Sequence, residues 1–279
     1  MLNYCRGGHH VLGDKAAAAV SRLKEIFPVT SVMTFGGEPL LYTGEVCGIH
    51  HAAADAGIAQ RSVITNGYFS RDLETIRRTA ARLADAGVNH LLLSVDAFHQ
   101  QRIPFEPVYR FAEEAKRCGL NIRLHPAWVV GRDHVNPYND CTRELLERFS
   151  GLDIPTGNGN DIFLAGNAAR NLAEYYPEAR LDMNQKCGEM PYSAPPTEVG
   201  SITIAPNGDV QVCSFVIGNI YRESIDEIVS RYDPFADEAM CAAMSGAEAM
   251  LALAKRRGIA VDIAKCYSVC DICRQLNRK

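Results

Sequence analysis

Six of the ten cysteines lie in the last third of the 279-residue chain, where their spacing suits metal chemistry. Cys270 and Cys273 form a C-x2-C pair, which Cys266 extends to C-x3-C-x2-C. One loop can present two closely spaced thiolates to the same zinc ion or iron–sulfur cluster, so this spacing indicates a metal site. Cys241 stands among alanines in a predicted helix, which favours a place in the core. The whole group comprises Cys187, Cys213, Cys241, Cys266, Cys270 and Cys273.

A second feature is a pair of glycines, Gly36 and Gly37, followed by Glu38 and Pro39 at the end of an apolar run. Glycine weakens a strand, but it allows a sharp turn or a close approach of the backbone to a ligand. The stretch therefore predicts either a tight strand-to-helix turn or a ligand held against bare backbone.

The elements that must position these residues repeat along the first half of the chain. Three predicted helices end at Gly57, Gly87 and Gly119, as is typical of a helix closed by a left-handed glycine, and a strand follows each. The first helix, residues 14–27, is predicted to begin behind a capping Asp14. Predicted strand centres are spaced by about 30 residues, which indicates βαβ units and a parallel sheet. The centres are Thr34, Ile64, Leu93, Leu124 and Leu164, the last in a strand over 161–166.

Polar residues gather where these strands end, and continuously apolar strands predict a sheet covered on both faces. In parallel α/β folds, the carboxyl ends of the strands form the edge that binds ligands. The residues at this predicted edge are Glu38, Thr65, Asn66, Ser94, Asp96 and His125. Asp96 has a second interpretation as the cap of the next helix. His99 and Gln100 follow this edge and either contact the substrate or lie in a solvent-exposed loop, and we favour the loop.

From about Asn184 the pattern changes, and we predict a domain boundary that separates residues 1–183 from residues 184–279. Residues 201–215 alternate around a Pro-Asn-Gly-Asp turn and predict a β-hairpin. Two helices follow, over residues 224–232 and 237–257. So small a unit buries little apolar surface, which makes stabilisation by a metal plausible.

Composition excludes several classes of protein. The formal net charge of -4 offers no basic face, so nucleic acid is excluded as a partner, including for a zinc-ribbon protein. No apolar segment approaches the ~20 residues of a membrane helix. The first ten residues lack the apolar core of a signal peptide. We therefore expect a cytoplasmic protein without disulfides, in which the scattered cysteines are small buried residues: Cys5, Cys47, Cys118 and Cys141.

Taken together, these motifs resemble those of the radical S-adenosylmethionine (SAM) enzymes. Residues 36–39 resemble the motif that binds the amino group of SAM, and residues 64–67 resemble the motif of the next strand. Residues 94–100 look like the following strand motif of one uncharacterised branch. The C-terminal cysteines and hairpin resemble its SPASM or twitch-like auxiliary-cluster domain. The resemblance implies an N-terminally truncated, partial (β/α)6 TIM-like barrel with a small, Cys-rich α+β domain after it.

The resemblance also implies cofactors and roles. SAM and a [4Fe-4S] cluster would yield a 5′-deoxyadenosyl radical that abstracts hydrogen from a small-molecule or peptide substrate. An electron donor such as flavodoxin or ferredoxin would be the partner. Ser94 and Asp96 would suit the ribose, and His125 would lie nearby. The implied SAM-binding set is Gly36, Gly37, Glu38, Pro39, Thr65, Asn66, Ser94, Asp96 and His125.

For the auxiliary [4Fe-4S] cluster, the resemblance implies the ligands Cys187, Cys213, Cys270 and Cys273, with Cys266 as a substitute. Zinc is the rival metal, because four thiolates suit either.

The family's C-x3-C-x2-C loop after the first strand has no counterpart at the start of this chain. The triplet at residues 266–273 lies too late in the chain to replace it. As written, the chain is therefore expected not to cleave SAM. Two hypotheses follow: a radical SAM oxidoreductase or maturase, or a catalytically silent barrel that binds a peptide or protein and keeps a structural iron–sulfur or zinc site.

Overall fold

The computed structural model describes residues 12–191 and 193–277. Within them the chain divides into two compact units, the first ending at Ile162 and the second beginning at Phe163. This division lies earlier in the chain than the domain boundary that we predict between residues 183 and 184. Cys5 lies outside the described residues.

The first unit is built on a parallel sheet of four neighbouring strands, as the repeated strand–helix pattern predicts. In chain order and in sheet order they are β1 (Ser31–Thr34), β2 (Gln60–Thr65), β3 (His90–Leu93) and β4 (Ile122–Leu124). All four strands therefore end at the same edge of the sheet, and the polar residues that follow them are brought together there.

Helices connect the strands, and the glycines that close three of them adopt the predicted left-handed conformation. The φ angles are 69° at Gly57, 77° at Gly87 and 78° at Gly119. Asp14 does not cap the first helix: Leu12 is the N-cap, and Asp14 lies in the first turn, where its charge still favours the helix dipole. The helices are α1 (Gly13–Ile26), α2 (Thr43–Asp55), α3 (Leu73–Asp85), α4 (Ala97–Gln100), α5 (Phe105–Arg117) and α6 (Pro137–Glu147).

The two faces of the sheet differ in burial. Val63, Leu91 and Leu93 point towards the helices and are fully buried with them in one core. Residues of the opposite face remain partly open, and Met33 is 41% exposed. The expectation that both faces are covered therefore holds for only one face among the described residues.

The predicted fifth strand at residues 161–166 is mostly wrong. Only β6 (Asn160–Asp161) forms, and it pairs in parallel with β5 (Ala127–Trp128). Leu164 is buried but lies outside any strand, and the short α7 (Asn167–Asn171) follows. A short apolar run predicts burial more reliably than it predicts strand pairing.

The second unit contains the predicted hairpin and one strand more. β7 (Thr203–Ile204), β8 (Asp209–Val212) and β9 (Phe215–Asn219) form an antiparallel sheet, with Gly208 at φ 83° in the first turn. α8 (Ile225–Ser230) confirms the first predicted helix.

The long helix predicted over residues 237–257 is in fact two, α9 (Glu238–Ser245) and α10 (Ala247–Arg256). They separate at Gly246, whose φ of 104° is incompatible with a continuous helix. The last helix is α11 (Val269–Leu276). Among the described helices of the chain, none combines the length and the apolar character that a membrane crossing requires.

Candidate functional site

Glu38 joins the glycine motif to the end of the neighbouring strand. Its carboxylate accepts hydrogen bonds from the Thr65 hydroxyl at 2.6 Å, the Asn66 amide at 2.9 Å and the Leu40 amide at 3.0 Å. Thr65 is buried and its hydroxyl also accepts from the Gly67 amide, which fixes the turn that follows β2. This hydrogen bond joins two predicted motifs at the sheet edge, although Glu38 and Thr65 are separated by 27 residues along the chain.

The paired glycines have conformations that favour glycine. Gly36 has φ 92° and Gly37 has φ 55°, both in the region that other residues rarely adopt. A Cβ atom built at either position meets no atom of the described residues within 4 Å, apart from those of its chain neighbours. The glycines are therefore required by backbone conformation rather than by crowding.

Asp96 caps the N-terminus of α4, which confirms one of the two interpretations of this residue. Its carboxylate accepts from the backbone amides of Phe98 and His99, each at 3.0 Å, and from the His99 ring Nδ1 at 2.8 Å. The side chain of Asp96 is 1% exposed, whereas that of His99 is 23% exposed. His99 and Gln100 belong to α4, so the expectation of a solvent-exposed loop is wrong.

Ser94 and His125 also lie at the ends of neighbouring strands. The Ser94 amide donates to the Thr65 carbonyl, and the His125 amide donates to the Leu93 carbonyl, each at 2.8 Å. The His125 Nε2 accepts from the Asn160 side-chain amide at 2.9 Å. Burial lowers the pKa of His125, which agrees with a neutral ring that accepts this hydrogen bond.

At this edge, burial and neighbouring charges shift the pKa values of Glu38 and His99 in opposite directions. Burial raises the pKa of Glu38, although hydrogen bonds from Thr65, Leu40 and Asn66 and the charge of His99 partly offset the effect. Burial lowers the pKa of His99, but the hydrogen bond and charge of Asp96 together with the charge of Glu38 outweigh it, so the pKa is raised overall. The edge thus holds a carboxylate and an imidazole that sense each other's charge.

One buried group at the sheet was missed. His50 is fully buried, and its Nε2 lies 3.0 Å from the Thr34 hydroxyl. Its Nδ1 has no hydrogen-bond partner among the described residues. The helical spacing of Val46, Ile49 and His50 on the buried face of α2 was the signal that could have placed it in the core.

In the second unit, four thiols influence one another electrostatically. Burial raises the pKa of Cys187 to about 12, with further contributions from Cys273, Cys213 and Cys270. Burial raises the pKa of Cys270 to about 11, with contributions from Cys213 and Cys273. Thiolates that repel one another become favourable ligands once a metal neutralises them, so the donor set fits an iron–sulfur cluster.

The four thiols are not preassembled around a single ion. Among the described residues, no group of three or more His, Cys, Asp or Glu side chains is arranged to hold one metal ion. Cys187 and Cys273 nevertheless pack in the same apolar cluster of the second unit, and Cys270 lies one helical turn before Cys273 in α11. The Cys273 sulfur also lies 3.4 Å from the Ser214 hydroxyl.

The remaining cysteines stand apart from this group. Cys266 is buried, its thiol donates to the Asp262 carbonyl at 3.3 Å, and no cysteine contributes to the rise of its pKa. Cys241 is half-buried rather than fully in the core. Of the scattered cysteines, Cys47 is buried as expected, whereas Cys141 is exposed, which contradicts that expectation.

Comparison with known proteins agrees with both units. Residues 5–149 match the model of the Radical SAM superfamily, and residues 197–246 match that of the SPASM iron–sulfur cluster-binding domain. A solved structure, the crystal structure of BtrN in complex with AdoMet and 2-DOIA, is 15% identical with a TM-score of 0.42. The match covers 84% of this chain and 74% of that one. No curated protein matches the sequence significantly.

Proposed function

Because the chain belongs to the radical SAM superfamily and carries a SPASM domain, we propose that it abstracts a hydrogen atom from a peptide or small-molecule substrate, as an oxidoreductase or maturase. Radical SAM enzymes use SAM and a [4Fe-4S] cluster, and SPASM domains bind auxiliary iron–sulfur clusters. Bound together and reduced by a donor such as flavodoxin or ferredoxin, SAM and its cluster supply a 5′-deoxyadenosyl radical. We further propose that the four-stranded sheet belongs to a partial (β/α)6 barrel.

The SAM site of this proposal is the carboxyl edge of the sheet. The hydrogen bonds from Thr65 and Asn66 to Glu38 support it most strongly, because they join the glycine motif to the next strand at one place. Open space at the Cβ positions of Gly36 and Gly37 would leave room for the methionyl end of SAM next to the backbone. The Glu38 carboxylate would attract its ammonium group. Pro39 starts a buried 3-10 turn that holds the motif against the sheet.

For the auxiliary cluster we propose Cys187, Cys213, Cys270 and Cys273 as ligands. The pKa shifts that three of these thiols share support this set, and the separate hydrogen bonding of Cys266 makes it a weaker candidate. A thiol must lose its proton before it can bind a metal. Because the pKa of Cys187 is raised, its deprotonation is unfavourable until a metal is present.

The test is a SAM-binding and cleavage assay. After anaerobic reconstitution with iron and sulfide, the protein should bind SAM in equilibrium dialysis, and a form that also carries the family's C-x3-C-x2-C loop should, with dithionite, produce 5′-deoxyadenosine. The Glu38→Gln variant should lose both, while the exposed Glu25→Gln variant should retain them. Binding without 5′-deoxyadenosine would support the catalytically silent barrel, and the absence of SAM binding by the unsubstituted protein would overturn the proposal.

A further inference from the structure

The carboxylate of Asp96 is not available to a ligand. Its side chain is 1% exposed, and its oxygens already accept from the Phe98 amide, the His99 amide and the His99 ring. Three donors leave one of the about four acceptor positions of the carboxylate, and the burial of the side chain closes that position to a ligand. Asp96 is therefore committed to holding α4 and the imidazole, although the family resemblance implies that it would contact the ribose.

The hydrogen bond to Asp96 decides which atom of His99 is presented. Because a carboxylate only accepts, the His99 Nδ1 that lies 2.8 Å from it must carry a proton. Nε2 is then the remaining polar atom of the ring, and no residue in the described part of the chain hydrogen-bonds to it. The side chain is 23% exposed, so this nitrogen can meet a ligand.

The imidazole follows the end of β3, which pairs in parallel with β2 and therefore ends at the same edge of the sheet as the motif around Glu38. The charges of His99 and Glu38 influence each other, and Glu38 is fixed by Thr65 and Asn66. Nε2 accepts a hydrogen bond when the ring is neutral and donates one when it is charged. A hydroxyl group can donate and accept, so it is the ligand group that suits both forms.

We infer that His99, and not Asp96, is the side chain that this strand end offers to SAM, with Nε2 hydrogen-bonded to a ribose hydroxyl and Asp96 acting as a positioning residue. The inference rests on the proposed SAM site at the sheet edge. It assigns the ribose contact to His99 in place of Asp96.

The test measures the dissociation constants of SAM and of its 2′-deoxy and 3′-deoxy analogues. One hydrogen bond corresponds to about a three- to tenfold change in affinity. The unsubstituted protein should bind one of the deoxy analogues more weakly than it binds SAM, by that factor. His99→Phe should bind SAM more weakly than the unsubstituted protein does, by the same factor. Its affinity for that deoxy analogue should be no lower than its affinity for SAM. The exposed His51→Phe should behave as the unsubstituted protein does.

Asp96→Asn supplies a readout that a purely structural role would not produce. Asp96 and Glu38 are the charged groups that raise the pKa of His99, so the NMR titration of its ring should shift to lower pH in Asp96→Asn.

His99→Phe could disturb α4, so His99→Gln, which retains a polar side chain, should recover part of the SAM affinity. The inference is wrong if His99→Phe binds SAM as tightly as the unsubstituted protein does. It is also wrong if the effects of the substitution and of each missing hydroxyl on affinity simply add. If the unsubstituted protein does not bind SAM, the proposed function itself fails, which is a different result.

Discussion

The hydroxyl of Thr65 lies 2.6 Å from the carboxylate of Glu38 and ties the first two strands of the sheet together at their carboxyl ends. Thr65 is 2% exposed, so this hydrogen bond is made away from water. A buried hydrogen bond to a charged group is among the stronger ones in proteins, and its geometry sets the orientation of the motif at Gly36 and Gly37.

Thr65→Val should therefore destabilise the first unit by about 1–3 kcal/mol. The substitution leaves both the Glu38 carboxylate and the Gly67 amide without the hydroxyl that they share. Thr65→Ser keeps the hydroxyl and should cost less. Urea unfolding of the two variants measures the difference, and equal losses would show that the hydroxyl is unimportant.

Gly37→Ala should weaken SAM binding more than it weakens the fold. The φ of 55° makes alanine cost about 1 kcal/mol, and the added methyl group would enter the open space where we propose that SAM lies. Gly131→Ala is the matched control, because that glycine also faces open space but has no left-handed φ. Equilibrium dialysis and thermal unfolding separate the two effects; equal SAM affinity in both variants would contradict the proposed contact.

His50 should make the protein sensitive to mild acid. Burial, assisted by the charge of Arg61, lowers its pKa from 6.5 to about 4. Between these values the unfolded chain binds more protons than the folded chain does, so stability falls as pH falls through this window. The expected loss between pH 7 and pH 5 is about 2 kcal/mol.

Urea unfolding at a series of pH values should show this loss in the unsubstituted protein and in the exposed His51→Leu control. His50→Leu should be less stable at neutral pH, since Thr34 loses its partner, but its curve should be flatter. Parallel curves for His50→Leu and the unsubstituted protein would show that His50 does not carry the effect.

Serine substitutions should identify the ligands of the auxiliary cluster. Separate replacement of Cys213 and Cys273 should sharply reduce the iron bound after reconstitution from about four atoms per chain. Cys266→Ser and the exposed Cys141→Ser should retain it. Metal analysis and visible absorption provide the measurement. Stoichiometric zinc without iron, or loss of iron only in Cys266→Ser, would contradict the proposed ligands.

The sheet could be predicted because its signals are local. A glycine such as Gly57 or Gly87 can end a helix only through a left-handed φ, and the next apolar run has little choice but to form a strand. The shared edge then follows from the parallel order of the strands, which brings Glu38 and Thr65 within reach of each other. These inferences need no knowledge of side-chain packing.

Packing decided the points that the sequence left open. Whether Asp96 faces a ligand or caps α4 depends on the position of the His99 ring, which no pattern of residue types encodes. The burial of His50 depends on how α2 rotates against β1. Gly246 could have been tolerated within one long helix, but the chain instead turns there.

Hydrogen–deuterium exchange with and without SAM tests most directly whether the sheet edge is the SAM site. Addition of SAM should slow amide exchange in residues 35–41, 65–68 and 96–100. Exchange in the three-stranded sheet of β7, β8 and β9 should change little. Protection confined to other segments, at a SAM concentration that saturates the protein, would contradict the account.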